Sequence, residues 1–173
     1  SLMRASFAQA IIPFGGISVH SSVVECGGKG YLFVAPSGTG KSTHSRQGLK
    51  RFPESHLVND DNPMVRVLTG GEIRVYGSPW SGKTPCYRQE SYPIGGIARI
   101  RQAPENSPRL LSGVESFVPF LPSCSALRQN PELHDRLCDT VVEVCEKVPV
   151  ALMACLPDEN AAEQCRSCLN NEK

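Results

Sequence analysis

Short apolar runs alternate along this chain with glycine- and proline-rich turns, and the spacing of the runs changes from strand-like to helical and back. Residues 17 to 25 alternate and are rich in β-branched side chains, which predicts a strand. Gly27-Gly28-Lys29-Gly30 then reads as a turn, and Tyr31-Leu32-Phe33-Val34 returns antiparallel to complete a hairpin. A helix is expected from Ser42 to Arg51, with Pro53 ending it. His56-Leu57-Val58-Asn59 is a short strand leading into Asp60-Asp61. Residues 64–68 and 72–76 flank Thr69-Gly70-Gly71 as a second hairpin, and 94–101 form a further strand with a weak point at Gly95-Gly96. A short helix is expected over 114–121. The strongest helical period runs from Pro131 to Glu146, with Leu133, Leu137, Val141, Val144 and Cys145 on one side. Residues 148–156 read as a strand, and Asp158 as the cap of a last helix. Hairpins mixed with helices imply a mixed sheet with flanking helices, an α/β architecture that is not purely parallel.

The first hairpin leads directly into Ala35-Pro36-Ser37-Gly38-Thr39-Gly40-Lys41-Ser42-Thr43, so the local order is strand, glycine-rich loop, helix. That order predicts a phosphate-binding loop. Gly38 and Gly40 lack a Cβ, which lets the backbone take positive φ and approach phosphate oxygens closely. Successive N–H groups at a helix N-terminus attract negative charge, and the macrodipole adds to them. Lys41 is expected to reach the terminal phosphates as a point charge, Ser42 to offer its hydroxyl to a magnesium ion, and Thr43 to meet the α-phosphate. The loop as a whole, residues 36 to 43, implies a nucleoside triphosphate (ATP, or another) with Mg2+ or Mn2+. One position departs from G-x-x-x-x-G-K-[ST]: Ala35 stands where the first glycine would be.

A second stretch, Gly77-Ser78-Pro79-Trp80-Ser81-Gly82-Lys83-Thr84, fits that pattern letter for letter. Pro85 follows at once, and the residues up to Pro93 have no helical period. Without a helix there is no dipole and no array of free N–H groups. The stretch is expected to be a loop at the rim of the site, where Trp80, Lys83 and Arg88 are candidates to touch an acceptor or the transferred group.

Asp60-Asp61 closes the strand that follows the loop helix. A carboxylate at such a strand end can meet the metal held by the loop serine, and a second one beside it can accept the proton of an attacking hydroxyl. Alone, Asp-Asp-Asn-Pro would read as a turn. Its place after the glycine-rich loop changes that reading.

The length of 173 residues suits a single domain, expected over residues 3–173, with Ser1-Leu2 before Met3 read as a cloning remnant. A formal net charge of +1 gives no sign of a nucleic-acid surface. No secretory signal pattern and no apolar run of membrane-spanning length is seen, so the eight cysteines are expected to be free thiols in a reducing cytoplasm rather than a disulfide framework. Cys165 and Cys168 form a C-x-x-C pair without further ligands at zinc-site spacing.

Val19-His20-Ser21-Ser22 in a strand, the loop at residues 35 to 43, and Val58-Asn59-Asp60-Asp61 occur in an order that resembles the catalytic domain of HPr kinase/phosphorylase. That domain is related in fold to the ATP-dependent phosphoenolpyruvate carboxykinases. The resemblance is carried by residues 17 to 101, and small stand-alone HPr-kinase-like bacterial proteins are the nearest in form. It implies a single P-loop domain of that superfamily. It also implies that Asp60 is the general base for a serine hydroxyl, that Asp61 and Ser42 serve the metal with Asp60 nearby, and that Lys41 holds phosphates. His20 would tune Asp60 or approach the metal, a role that only the resemblance suggests. No counterpart is found of the segment that grips the phosphocarrier protein, so HPr is not the expected acceptor. The oxaloacetate-binding arginines of the carboxykinases cannot be placed either.

The expected function is Mg-ATP-dependent phosphoryl transfer to a hydroxyl, on a serine of a peptide or protein or on a small molecule. Three alternatives stay open: a nucleotide-binding regulatory module without turnover, carboxykinase-like chemistry, and a metabolite kinase of the ordinary P-loop type. Nucleotide and acceptor are the expected partners, with a homo-oligomer possible and neither nucleic acid nor membrane expected.

Overall fold

The computed structural model describes residues 2–82, 84–126 and 129–171. Among the described residues, nine strands form one curled, mixed sheet with helices on both faces. In chain order the elements are α1 (Leu2–Ala10), β1 (Gly16–Ser18), β2 (Ser22–Cys26), β3 (Lys29–Val34), α2 (Lys41–Arg51), β4 (His56–Asn59), β5 (Met64–Val67), β6 (Ile73–Tyr76), β7 (Ser91–Gln102), β8 (Ser107–Leu110), α3 (Phe117–Phe120), α4 (Pro131–Lys147), β9 (Val150–Cys155) and α5 (Glu159–Leu169).

The long strand β7 joins the two limbs of the sheet. Its first residues pair antiparallel with β6, and β6 continues through β5 to β1. The remainder of β7 runs parallel to both β3 and β9. Beyond β3 lie β2 and then β4, both in antiparallel steps, and β8 edges β9. The expected hairpins are present: 22–26 with 29–34, and 64–67 with 73–76.

Alternation along the central strands builds two cores. Leu32 and Val34 of β3 point to a cluster capped by Leu137, Val141 and Val144 of α4, the side that the sequence period marks. Tyr31 and Phe33 point the opposite way, to Met153, Ala161, Cys165 and Leu169 under α2 and α5. The caps follow chemistry: Asp158 accepts from the Ala161 amide at 2.8 Å, and Asn130 from that of Leu133 at 3.2 Å.

The Gly95-Gly96 interruption has a packing reason. A Cβ on Gly95 would lie 2.7 Å from the Tyr31 ring and one on Gly96 2.8 Å from Leu169. The register against β3 slips at this point. The glycines let the central strand run close to an aromatic ring and to α5 without breaking.

Several expectations change. The strand expected over 17–25 divides into β1 and β2, because the chain crosses from one limb of the sheet to the other at Val19–Ser21. Leu2, set aside with Ser1, opens α1, a helix that the apolar pattern does not announce; Leu2 itself is exposed. Residues 113–123 form two 3-10 turns around a single α turn, since Pro119 and Pro122 remove successive donors. β8, with Pro108 and mostly exposed side chains, carries no apolar alternation and is found only through its partner β9. All eight cysteines are free thiols, four of them buried. Among the described residues no three metal-binding side chains come together and no helix is long and apolar enough to cross a membrane.

His44 anchors α2 from within. It is 3 % exposed, stacks on Phe33 with ring centroids 4.6 Å apart, and burial lowers its pKa to about 4. Between pH 6.5 and about 4 the unfolded chain therefore binds a proton at this position that the folded chain does not. The stabilisation is complete above pH 6.5 and is lost as pH falls, by on the order of 3 kcal/mol if the whole shift is expressed. The melting temperature of the wild type is expected to fall across that interval more steeply than that of His44→Gln.

Candidate active site

The glycine-rich loop spans the gap between β3 and α2. Gly38 and Gly40 both have positive φ, 77° and 111°, and a Cβ on Gly38 would meet nothing within 4 Å. The positive φ is what makes glycine fit these two positions, and the loop face above them is open. α2 starts at Lys41 with no side-chain cap on its first turn and no acidic residue there. Its first N–H groups thus lack protein partners of the usual capping kind, which leaves them for an anion. The Ser22 and Ser45 hydroxyls, 2.7 Å apart and buried, pin this helix to β2.

Lys41 is 8 % exposed. Its Nζ donates to the Ala35 carbonyl and to His20 Nε2, each at 3.1 Å. Burial pushes the ammonium below its usual value, opposed by the charges of Asp61 and Asp60. An ammonium only donates, so His20 Nε2 accepts and the ring proton belongs on Nδ1, facing Asp61 Oδ1 at 3.4 Å. Burial and the neighbouring Lys41 lower the His20 pKa, consistent with this neutral tautomer. His20 sits in the break between β1 and β2, not in a strand as the pattern suggested. Its amide donates to the Ser123 carbonyl at 2.7 Å, and the next amide, on Ser21, donates to the Asp61 carbonyl at 3.2 Å.

Two carboxylates face this group from the end of β4. The Ser42 hydroxyl donates to Asp60 at 2.9 Å, and Asp61 faces His20 and Arg4 instead. The turn that presents them is organised by Asn59, fully buried, whose Oδ1 accepts from the amides of Asp61 and Asn62 at 2.9 and 2.8 Å. Its Nδ2 donates to the Trp80 carbonyl at 3.0 Å and so ties the rim loop to the same turn. The signal in the sequence was an asparagine two residues before the second aspartate, the pattern of a side chain that closes its own turn.

A cavity of roughly 370 Å3 lies over these groups, walled by His20, Lys41, Ser42, Asp60 and Asp61, with Gly82 and Thr84 on the rim. The structure thus brings together the loop, the Asp pair and His20, which lie far apart along the chain. It does not bring Trp80 or Arg88 to the cavity wall. The Trp80 ring packs against Phe7, centroids 5.6 Å apart, and Arg88 turns to Glu90 at 3.3 Å. Lys83 lies outside the described residues. Arg4 of α1 was missed by sequence reasoning altogether, yet its guanidinium reaches Asp61 Oδ2 at 3.3 Å.

Among its described residues, the second glycine-rich match, residues 77–84, contains no helix and is followed by none before β7. Its glycines serve other ends. A Cβ on Gly77 would lie 2.0 Å from the Arg88 carbonyl oxygen, and one on Gly82 2.9 Å from that of Asp60. Gly77→Ala must displace backbone and is expected to cost about 1–3 kcal/mol, seen as a melting temperature several degrees lower.

No protein-family model matches the chain, and no curated protein sequence matches it. Solved structures do match, 36 chains in all. Among them is the Hpr(Ser) kinase/phosphatase from Coxiella burnetii, with a TM-score of 0.50 and 11 % identity over 89 % of this chain and 88 % of that one. At that identity the likeness is one of fold, and it places this mixed α/β chain with the HPr kinase-like folds.

Proposed function

We propose that the chain binds the polyphosphate of a nucleoside triphosphate with a divalent cation over residues 37–43, and transfers the terminal phosphoryl group to a hydroxyl. The observation that carries this reading is the convergence of an open, positive-φ glycine loop, a buried lysine, and a loop serine hydrogen-bonded to a carboxylate from a different strand. The donor set fits the group. Free helix N–H groups and Lys41 suit phosphate oxygens, and the oxygen atoms of Ser42 and Asp60 suit a hard cation. Ser42 and Asp60 would hold Mg2+, and the bound ion would supply positive charge against the charge that develops on transfer.

The chain's own residues divide the remaining work. Asp60, paired with Ser42, belongs with the cation. Asp61 lines the cavity, its carboxylate faced by His20 Nδ1 at 3.4 Å and bonded by Arg4 at 3.3 Å, and is the group placed to take the acceptor's proton. This exchanges the roles that the family resemblance implied for the pair, because the loop serine bonds Asp60. Lys41, held near the loop by Ala35 and His20, offsets charge on the transferred group. In the transfer, a bond forms between the acceptor oxygen and phosphorus, the bond to the nucleoside diphosphate breaks, and the acceptor proton passes to Asp61. The acceptor is a hydroxyl of the serine type, on a peptide, protein or small molecule, and the fold likeness to an Hpr(Ser) kinase/phosphatase supports the transfer class. Titration with ATP in the presence and absence of Mg2+ tests the binding half: affinity that depends on the metal supports it, and no ATP binding in either condition refutes it.

A further inference from the structure

The rim loop from Gly77 to Glu90, between β6 and β7, contains no helix or strand among its described residues, yet it is tied down at several points. Its ends meet, because the Gly77 amide donates to the Glu90 carbonyl at 3.0 Å. Its middle reaches the cavity over Lys41 and the Asp pair, where Gly82 and Thr84 form part of the wall. In between it lies along β4: the Cys86 thiol donates to the Val58 carbonyl at 3.2 Å, and the Asn59 carboxamide to the Trp80 carbonyl at 3.0 Å.

At the base of this loop stands a cluster of titratable groups outside the site. His56, the first residue of β4, has a carboxylate at each ring nitrogen. Nε2 lies 2.6 Å from Glu90 Oε2, and Nδ1 lies 3.1 Å from Oε2 of Glu25 on β2. The Tyr92 hydroxyl, on β7, donates to the same Glu90 oxygen at 2.8 Å and stands 3.3 Å from His56 Nε2. Arg88 approaches the other Glu90 oxygen at 3.3 Å. Glu25 is fixed in turn by the Gly28 amide, which donates to its Oε1 at 2.7 Å. Burial pushes the Glu90 carboxyl up, but the bonds from His56, Tyr92 and Arg88 outweigh it and hold the group below the usual carboxylate range. Burial and the neighbouring Glu90 push the Tyr92 phenol up to about 12, so it stays a donor.

Carboxylate oxygens only accept, so each ring nitrogen must donate, and only the imidazolium carries a proton on both. We propose that protonated His56 is a positioning residue that clasps the rim loop to β4 and β2, and that loss of one ring proton releases the loop at Glu90. The neighbours decide which side lets go. Glu25 is anchored in the turn between β2 and β3, so the remaining proton stays on Nδ1. Nε2 then turns a lone pair toward Glu90, and the Tyr92 hydroxyl gains Nε2 as a second acceptor. Glu90 thus loses one donor and shares another, while it belongs to the segment without a strand ladder. The wall at Gly82 and Thr84 is docked at low pH and loosens as pH rises through the interval, about 5 to 8, in which histidines change charge. The effect on nucleotide rests on the reading of the cavity given above, whereas the clasp itself does not.

Trp80 is the single tryptophan of the chain and lies in this loop with its ring on Phe7, so its emission reports the loop without any ligand. The test titrates that emission on the full chain from about pH 5 to 9 for wild type, His56→Phe and Glu90→Gln. Wild-type emission is expected to move to longer wavelength as pH rises. His56→Phe should lack the transition and emit throughout as wild type does at high pH. Glu90→Gln should lack it too, but emit as wild type does at low pH, because a carboxamide pairs with either form of the ring. This second variant keeps the test decisive if His56→Phe does not fold. A transition retained in either folded variant, or absent from wild type, would overturn the clasp. Mg-ATP affinity of wild type, taken relative to Glu90→Gln, should fall about tenfold across the same interval, the worth of one charge-assisted hydrogen bond. A level ratio beside an intact emission transition would overturn the positioning role. Failure of the parent reading has a different signature: the emission transition persists and no protein binds Mg-ATP at any pH.

Discussion

Lys41→Ala is expected to weaken triphosphate binding by one to two orders of magnitude and to lower phosphoryl transfer by about 10²–10³-fold. The size follows from where the ammonium sits. Its Nζ is held by a carbonyl and an imidazole, in a cavity whose other charged walls include two aspartates. With the cation gone, Asp60 and Asp61 face an incoming polyphosphate without the charge that balances them, so repulsion adds to the lost attraction. The side chain is nearly buried, so Lys41→Met, which keeps the aliphatic stem, separates loss of charge from loss of packing. Both variants should bind and transfer poorly while melting within a few degrees of wild type. Unchanged affinity in a folded Lys41→Met protein would show that the loop is not the phosphate site.

The second large effect separates the two aspartates. Asp61→Asn is expected to bind Mg-ATP within about threefold of wild type and to transfer 10²–10⁴-fold more slowly, the usual worth of a positioned base. Asp60→Asn should instead lose most of the magnesium dependence of nucleotide affinity, because its partner is the loop serine. His20 Nδ1 lies 3.4 Å from Asp61 Oδ1, so His20→Asn, which can still donate, should retain more transfer than His20→Ala. If Asp60→Asn binds normally with full magnesium dependence and only transfer is lost, Asp60 is the base, as the family resemblance alone implied.

These expectations show which parts of the site the sequence carries. The glycine-rich loop was readable as a strand-to-helix turn because its signal is local. Two glycines, a lysine and a serine stand at fixed spacing there, and the flanking periods identify both elements. The same context separates it from the letter-perfect match at residues 77–84, which contains no helix among its described residues. There Pro85 removes a helix, and the structure shows that Gly77 and Gly82 make room for other carbonyls instead. The Asp pair was readable as a strand end. Its division of labour was not, since neighbours in sequence diverge in space: one carboxylate turns to Ser42, its neighbour to His20 and Arg4.

What the sequence hid is set by tertiary contact. His20 takes its place from an interruption between β1 and β2 pinned by Ser123 and Asp61. The apolar alternation around it is continuous, because both sides of the break are buried. α1 is a short helix with one buried residue, Ala8, and it offers no clear apolar stripe. Its Arg4 is therefore visible only once the helix is placed. Trp80 and Arg88 look like functional residues by type, yet one packs on Phe7 and the other pairs with Glu90.

Transfer of label from γ-labelled ATP, with Mg2+, tests phosphoryl transfer by this chain most directly. Wild type, Asp61→Asn and Lys41→Met are incubated with a panel of free serine, serine peptides and bacterial extract. Label is expected on a hydroxyl-bearing acceptor with wild type, little or none with Asp61→Asn despite intact nucleotide binding, and none with Lys41→Met. Tight Mg-ATP binding by wild type and Asp61→Asn alike, with no label on any acceptor, would contradict it and indicate a nucleotide-binding module without turnover.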